Sequence, residues 1–263
     1  MAQMLGIMIA VLYLGLLVVA YFSDVLIFFP HPSSYRVEQL AGWAAGSVQT
    51  FRIPTRHGSI AAVYLPNPGA RYTLLYSHGN AEDVGDDIGL LAEYRRAGFA
   101  VFAYDYNGYG VSEGRPSEAA VFGDVEAALD YLTGTLHVPA ERVISIGHSL
   151  GAAAAIHLAA KRPVAGLIAQ APFLSAFRLV TRVQVVPWEK FNNARTIQRV
   201  HCPVLIVQGR QDEVIPFWHG ERMFKLANEP KQHLWIDGAG HNDLMLVAGE
   251  TVVAGIQRFA AGL

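Results

Sequence analysis

The distribution of apolar positions divides the chain into two parts. Residues 1–23 carry no charged side chain, and Met4 to Phe22 is almost wholly apolar. As a helix rising about 1.5 Å per residue, that run is long enough to cross a hydrocarbon layer of about 30 Å. Pro30-His31-Pro32-Ser33-Ser34 then breaks the pattern and marks a boundary. Beyond it, Val48–Ile53 and Ile60–Leu65 flank His57-Gly58 and predict an antiparallel hairpin. Short apolar runs at Tyr72–Tyr76, Ala100–Tyr104, Val143–Ile146, Val164–Ala169, Val204–Val207 and His233–Ile236 have the character of buried parallel strands. Segments of helical length lie between most of them, at 86–97, 117–133, 150–161, 217–228 and 249–261. Strands alternating with helices predict an α/β architecture, a mostly parallel sheet covered on both faces. In such sheets the working residues collect beyond the carboxyl ends of the strands.

One stretch breaks the alternation. Residues 171–200 hold Pro172, Phe173, Leu174, Phe177, Val185, Val186, Pro187, Trp188 and Phe191. That is too apolar for a solvated loop, and it predicts a small cap over the site rather than an extra core layer. Phe173, Leu174, Phe177 and Trp188 are its expected substrate contacts. The expected organisation is an anchor over 1–23, a juxtamembrane linker over 24–46 and a catalytic domain over 47–263.

The amino terminus favours a retained single span. A cleaved signal peptide needs a basic start, which Met1-Ala2-Gln3 lacks, and Val18-Val19-Ala20-Tyr21 is a poor cleavage site. A core or interfacial helix is the third reading, but it needs fewer apolar residues. The first basic residue is Arg36, so orientation is not encoded near the span. Gly6 and Ala10 make a small-xxx-small pair on which two copies can pair as a homodimer.

Gly147-His148-Ser149-Leu150-Gly151 is a G-x-S-x-G between a β-branched strand and an Ala-rich helix. A nucleophile elbow has that strand–turn–helix setting, in which a tight turn exposes the serine hydroxyl. Gly110-Val111-Ser112-Glu113-Gly114 repeats the pattern, but Ser112 falls in a loop, where a serine braces the backbone. A serine hydroxyl needs a base. With chain order nucleophile, acid, histidine, the base is His241, which follows the last strand in Asp237-Gly238-Ala239-Gly240-His241; His201, His219 and His233 fall before or within regular elements. Asp212, in the loop after Val204–Val207, is the expected acid. Asp237 is its rival, and Asp105 is expected to brace another loop. The Leu150 N–H, at the helix start, and the Asn80 N–H, after an early strand, are the expected oxyanion donors.

Together, His78-Gly79-Asn80-Ala81, Tyr104-Asp105-Tyr106-Asn107-Gly108-Tyr109-Gly110, Gly147-His148-Ser149-Leu150-Gly151, Asp212-Glu213-Val214-Ile215-Pro216 and Gly240-His241 resemble the α/β-hydrolase-domain proteins related to the eukaryotic protein depalmitoylases and their membrane-anchored bacterial relatives. The resemblance covers residues 25–261 and implies the α/β-hydrolase fold with a serine triad. It implies cleavage of an acyl ester or thioester, of a small molecule or a lipid. An apolar span stands where the animal depalmitoylases carry a cysteine-rich amino terminus. A serine peptidase and a non-catalytic scaffold of the same fold are the alternatives.

Composition narrows the partners. Of 263 residues, 20 are Lys or Arg and 22 Asp or Glu, a net charge of -2 that offers no attraction to nucleic acid. Ten histidines and one cysteine form no metal-ligand spacing, so neither metal nor cofactor is expected. Cys202, before an apolar run, is expected to be a buried structural thiol.

Overall fold

A computed structural model describes residues 2–36, 39 and 48–263. The apolar run forms helix α1 (Ala2–Tyr21), followed by a single turn, α2 (Asp24–Ile27). Strands β1 (Gln49–Thr55) and β2 (Gly58–Leu65) form the expected hairpin, with Thr55 paired to Gly58. The rest alternates: β3 (Thr73–Ser77), α3 (Val84–Arg96), β4 (Ala100–Tyr104), α4 (Glu118–Gly134), β5 (Val143–His148), α5 (Leu150–Lys161), β6 (Gly166–Gln170), α6 (Asn193–Thr196), β7 (Val204–Gly209), α7 (Trp218–Leu226), β8 (Lys231–Ile236) and α8 (Leu244–Ala261). Helix α8 begins earlier than its 249–261 pattern suggests, because a first turn precedes a break at Ala248.

The eight strands lie in the order β1-β2-β4-β3-β5-β6-β7-β8. β1, β2 and β4 pair antiparallel, and every other neighbouring pair is parallel. Side chains alternate across the sheet. Leu75, Phe102, Tyr104, Leu167 and Ile206 face one layer, which α4 and α5 cover with Val121, Val125, Leu129 and the run Ala152–Ala155. Leu74, Tyr76, Val101, Ile146 and Val207 face the other, covered by Leu91 and Tyr94 of α3 and Val252, Ile256 and Phe259 of α8. Four consecutive alanines, all fully buried, let α5 lie close between the sheet and α4.

The strand order reverses between β3 and β5, whose ends are in register at Ser77 and Gly147. The loops leaving these two strands therefore open side by side at the carboxyl edge, where a doubly wound sheet forms its crevice.

The segment after α1 differs from the linker expected over 24–46. Residues 24–36 are fastened to the domain: Phe28 is buried against Phe191, Ser34 N donates to Asp83 Oδ2 at 2.8 Å, and Tyr35 OH donates to Asp105 Oδ2 at 2.5 Å. The apolar Phe28 and buried Tyr35 lose too much area to water to stay free. Of the remainder, 37–38 and 40–46 lie outside the described residues.

Candidate active site

The elbow is built by steric necessity. Ser149 has φ 55° and ψ -113°, a left-handed conformation that costs a non-glycine residue energy and is held by its surroundings. Its N–H donates to Gln170 O at 2.9 Å, tying the turn to β6. A Cβ on Gly147 would lie 2.1 Å from Gly151 O, and one on Gly151 would lie 1.9 Å from Ser77 O. Both glycines let backbone pass where any side chain would collide, and the second presses the start of α5 onto the end of β3.

Around that turn three predicted residues meet. His241 Nε2 is 3.1 Å from Ser149 Oγ, and His241 Nδ1 is 2.9 Å from Asp212 Oδ2. Asp212, buried, accepts from four donors. Its Oδ1 takes Val214 N at 3.0 Å and Ile215 N at 2.6 Å, while Oδ2 takes Gln208 Nε2 at 2.8 Å as well as the imidazole. An oxygen acceptor facing Nδ1 favours the tautomer with its proton there, which leaves the Nε2 lone pair toward the serine. The loops bearing acid and base are joined by Gln211 N to Ala239 O at 3.0 Å and Gly238 N to Gln211 Oε1 at 2.6 Å.

The rival residues lie elsewhere. Asp237 is exposed and paired with Arg210 at 2.9 Å. Ser112 donates to Asp105 O at 2.9 Å and accepts from Ala61 N at 2.8 Å, stitching its loop to β2. Asp105 is fully buried, accepts from Tyr35 OH and Val84 N, and burial pushes its carboxyl pKa up. Cys202 is partly buried, and burial pushes its thiol up to about 11, which leaves little thiolate near neutral pH.

Leu150 opens α5, and Asn80 lies in the loop after β3; neither backbone N–H has a hydrogen-bond partner among the described residues. The Asn80 side chain is held by three hydrogen bonds, Nδ2 donating to Ile27 O at 2.7 Å and Oδ1 accepting from Phe29 N at 3.0 Å and Tyr109 OH at 2.5 Å. Gly79 N donates to Glu82 Oε2 at 2.6 Å. His148, beside Ser149, has its Nε2 3.2 Å from His241 O, and burial lowers its pKa. It escaped the sequence reading because the x positions of G-x-S-x-G carry no signature.

Ser149, Leu150 and His241 lie on the wall of an apolar cavity of about 700 Å³. Phe173 and Phe177 line it as expected. Leu174 and Trp188 do not. The Leu174 N–H donates to His219 Nδ1 at 3.2 Å, and its side chain packs in the core beside Phe173 and Phe191; Trp188 stands half-buried outside the cavity. His219 itself is buried, and burial lowers its pKa to about 4. In place of Leu174 and Trp188, the wall takes Val180, Val186, Phe191 and Ile215, together with residues of α1 and α2.

Residues 68–196 match the family model described as serine aminopeptidase, S33. The chain is 36% identical over 230 residues to α/β-hydrolase domain-containing protein 17C of Xenopus laevis, covering 83% of this chain and 74% of that protein. The chain belongs to the α/β-hydrolase domain-containing protein 17 family. The human 17B member is 38% identical over 208 residues, spanning 76% of this chain and 71% of its own length. Among solved structures, an esterase of Pyrococcus furiosus superposes with a TM-score of 0.72 at 18% identity, covering 88% of this chain and 97% of that one. That likeness establishes the α/β-hydrolase fold, and the family makes the chain a hydrolase.

Proposed function

We propose that the protein is a membrane-anchored serine hydrolase that cleaves carboxylic esters or thioesters of acyl-chain substrates. The observation that carries this reading is the Asp212–His241–Ser149 hydrogen-bonded line opening into an apolar cavity. In the first half-reaction His241 Nε2 takes the Ser149 proton as Oγ bonds to the acyl carbon. The oxyanion so formed is held by the N–H groups of Leu150 and Asn80. Asp212 stabilises the imidazolium, which then gives its proton to the departing alcohol or thiol. Water, deprotonated by the same imidazole, cleaves the acyl-enzyme and restores Ser149.

The anchor is α1, whose Gln3–Tyr21 stretch has a mean hydropathy of 2.5 and is almost entirely exposed. Two copies pair through this helix in the bilayer, and no metal or cofactor takes part. The matched family model favours a second reading, a peptidase, and Glu82 is the one carboxyl residue on the cavity wall among the described residues that would hold a substrate amine. The apolar character of the rest of the wall favours acyl chains.

Full-length protein in detergent should be labelled by a fluorophosphonate probe and screened on p-nitrophenyl esters, acyl-thioesters, phospholipids and aminoacyl amides. Ser149→Ala should abolish labelling and lower turnover on the order of 10⁴-fold or more, while Ser112→Ala keeps most of both. Cleavage confined to aminoacyl amides replaces the esterase reading with the peptidase. Labelling that survives Ser149→Ala removes both.

A further inference from the structure

The apolar helix reaches the reaction site. Leu16, Val19, Ala20 and Ser23 lie on the wall of the Ser149 cavity, and Leu26, Ile27 and Phe29 continue that wall. The first four recur at spacings of three and four, so they form one stripe running down the helix onto its exit turn. Ala20 and Ser23 are buried, whereas Leu14, Val18 and Tyr21 on the opposite face are open. Ser23 is 4% exposed, and its buried hydroxyl has no hydrogen-bond partner among the described residues. A buried hydroxyl left alone is destabilising, so its place on a cavity wall points to a polar atom of a bound molecule.

The helix end is fixed from three directions. Asn80, in the loop that carries the proposed oxyanion donor, grips Ile27 O and Phe29 N with its side-chain amide. Lys190 Nζ reaches Asp24 Oδ1 at 2.8 Å from the 171–200 segment, and Phe191 meets Phe28 edge-on with ring centres 5.9 Å apart. Tyr109, after β4, closes the set through Asn80 Oδ1. A mere tether needs none of these contacts, and a tether's apolar face would not be continuous with the catalytic cavity.

We propose that the carboxyl end of the membrane helix is a specificity-determining wall of the acyl subsite, along which a long acyl chain runs from Ser149 past Ala20, Val19 and Leu16 toward the lipid. This rests on the reading of Ser149 as the acylated residue. Every methylene laid against that wall leaves water, so the helix rewards long chains and does nothing for short ones. The substrate class is an ester or thioester of a long, unbranched fatty acid, presented from the bilayer.

The test compares kcat/KM for p-nitrophenyl butyrate and p-nitrophenyl palmitate with full-length protein in detergent micelles. Ala20→Phe fills the wall at a buried position, and Leu16→Trp does so where partial exposure removes the packing constraint on folding. Each should lower the palmitate-to-butyrate ratio by tenfold or more, and Val18→Phe, on the outer face, should leave it within twofold. The ratio is insensitive to the folded fraction, since both substrates report the same molecules. Equal changes on both esters from Ala20→Phe and Leu16→Trp, or a Val18→Phe effect of the same size, would overturn the proposal. Ester cleavage that persists in Ser149→Ala would instead overturn the underlying assignment of the nucleophile.

Discussion

Gln208 Nε2 donates to Asp212 Oδ2 at 2.8 Å, the same oxygen that faces His241 Nδ1. Gln208 is fully buried on β7, and its Nε2 also reaches Ile215 O at 3.0 Å, so one side-chain amide spans the turn that carries the acid. With Val214 and Ile215 N–H on the other oxygen, the carboxylate has a fixed orientation before any substrate binds. A buried polar group whose acceptors are all met by donors costs less to bury than an unpaired one.

From that geometry, Asp212→Asn should lower kcat by on the order of 10³- to 10⁴-fold with KM little changed, because an amide no longer fixes the imidazole tautomer. Asp237→Asn should change kcat by less than about threefold, since an exposed pair such as Asp237–Arg210 contributes at most about 1 kcal/mol. Steady-state kinetics on one soluble ester decide between them, and equal losses would exclude Asp212 as the orienting acid.

The two kinds of glycine in the chain should respond in opposite senses. Gly151→Ala sets a Cβ 1.9 Å from Ser77 O, a collision of backbone with backbone, and should cost on the order of 4 kcal/mol or more. Gly123 lies inside α4 with nothing within 4 Å of an added Cβ, so Gly123→Ala should stabilise by about 0.5–1 kcal/mol. Urea unfolding of the detergent-solubilised protein measures both, and a tolerated Gly151→Ala would show that α5 can retreat from β3.

Asp124 should make stability depend on pH. It is buried, its Oδ2 accepts from Asn107 N at 2.7 Å, and its Oδ1 has no partner among the described residues. Burial raises its pKa from 3.8 to about 7, against the opposing effect of that hydrogen bond. Between these values the folded state keeps a proton that the unfolded state has released. Its contribution to stability is therefore present at acid pH, is lost as pH rises toward 7, and changes no further above it. Asp124→Asn keeps the acceptor for Asn107 and removes the ionisation, so it should raise Tm at pH 8 and have a smaller effect at pH 4.5. A Tm difference that is the same at both pH values would contradict the buried, protonated carboxyl.

Much of the molecule was legible one element at a time. The parallel strands follow from β-branched runs too short for helices, and the α/β alternation follows from their spacing. Gly147 and Gly151 mark the elbow because only they clear Ser77 O and Gly151 O. Choosing Ser149 over Ser112 used local context as well, since one serine joins a strand to a helix and the other does not. Asp212 and His241 could be nominated from chain order, but their 2.9 Å contact is made by two loops that nothing local ties together.

What only the tertiary structure decided concerns the cavity. Periodicity and composition record how apolar a segment is, whereas membership of a wall depends on which distant surfaces it meets. Leu174 and Trp188 are as apolar as Phe173 and Phe177, yet the first pair lies outside the Ser149 cavity and the second pair lines it. The stretch from Ser23 to Tyr35 has linker-like punctuation, and only the distant partners Asn80, Asp83, Asp105 and Phe191, the nearest 49 residues away, make it part of the domain. For α1, sequence alone determined a helix long and apolar enough for a bilayer; its last turns became a wall of the Ser149 cavity because packing across the fold, not hydropathy, sets where a helix end comes to rest.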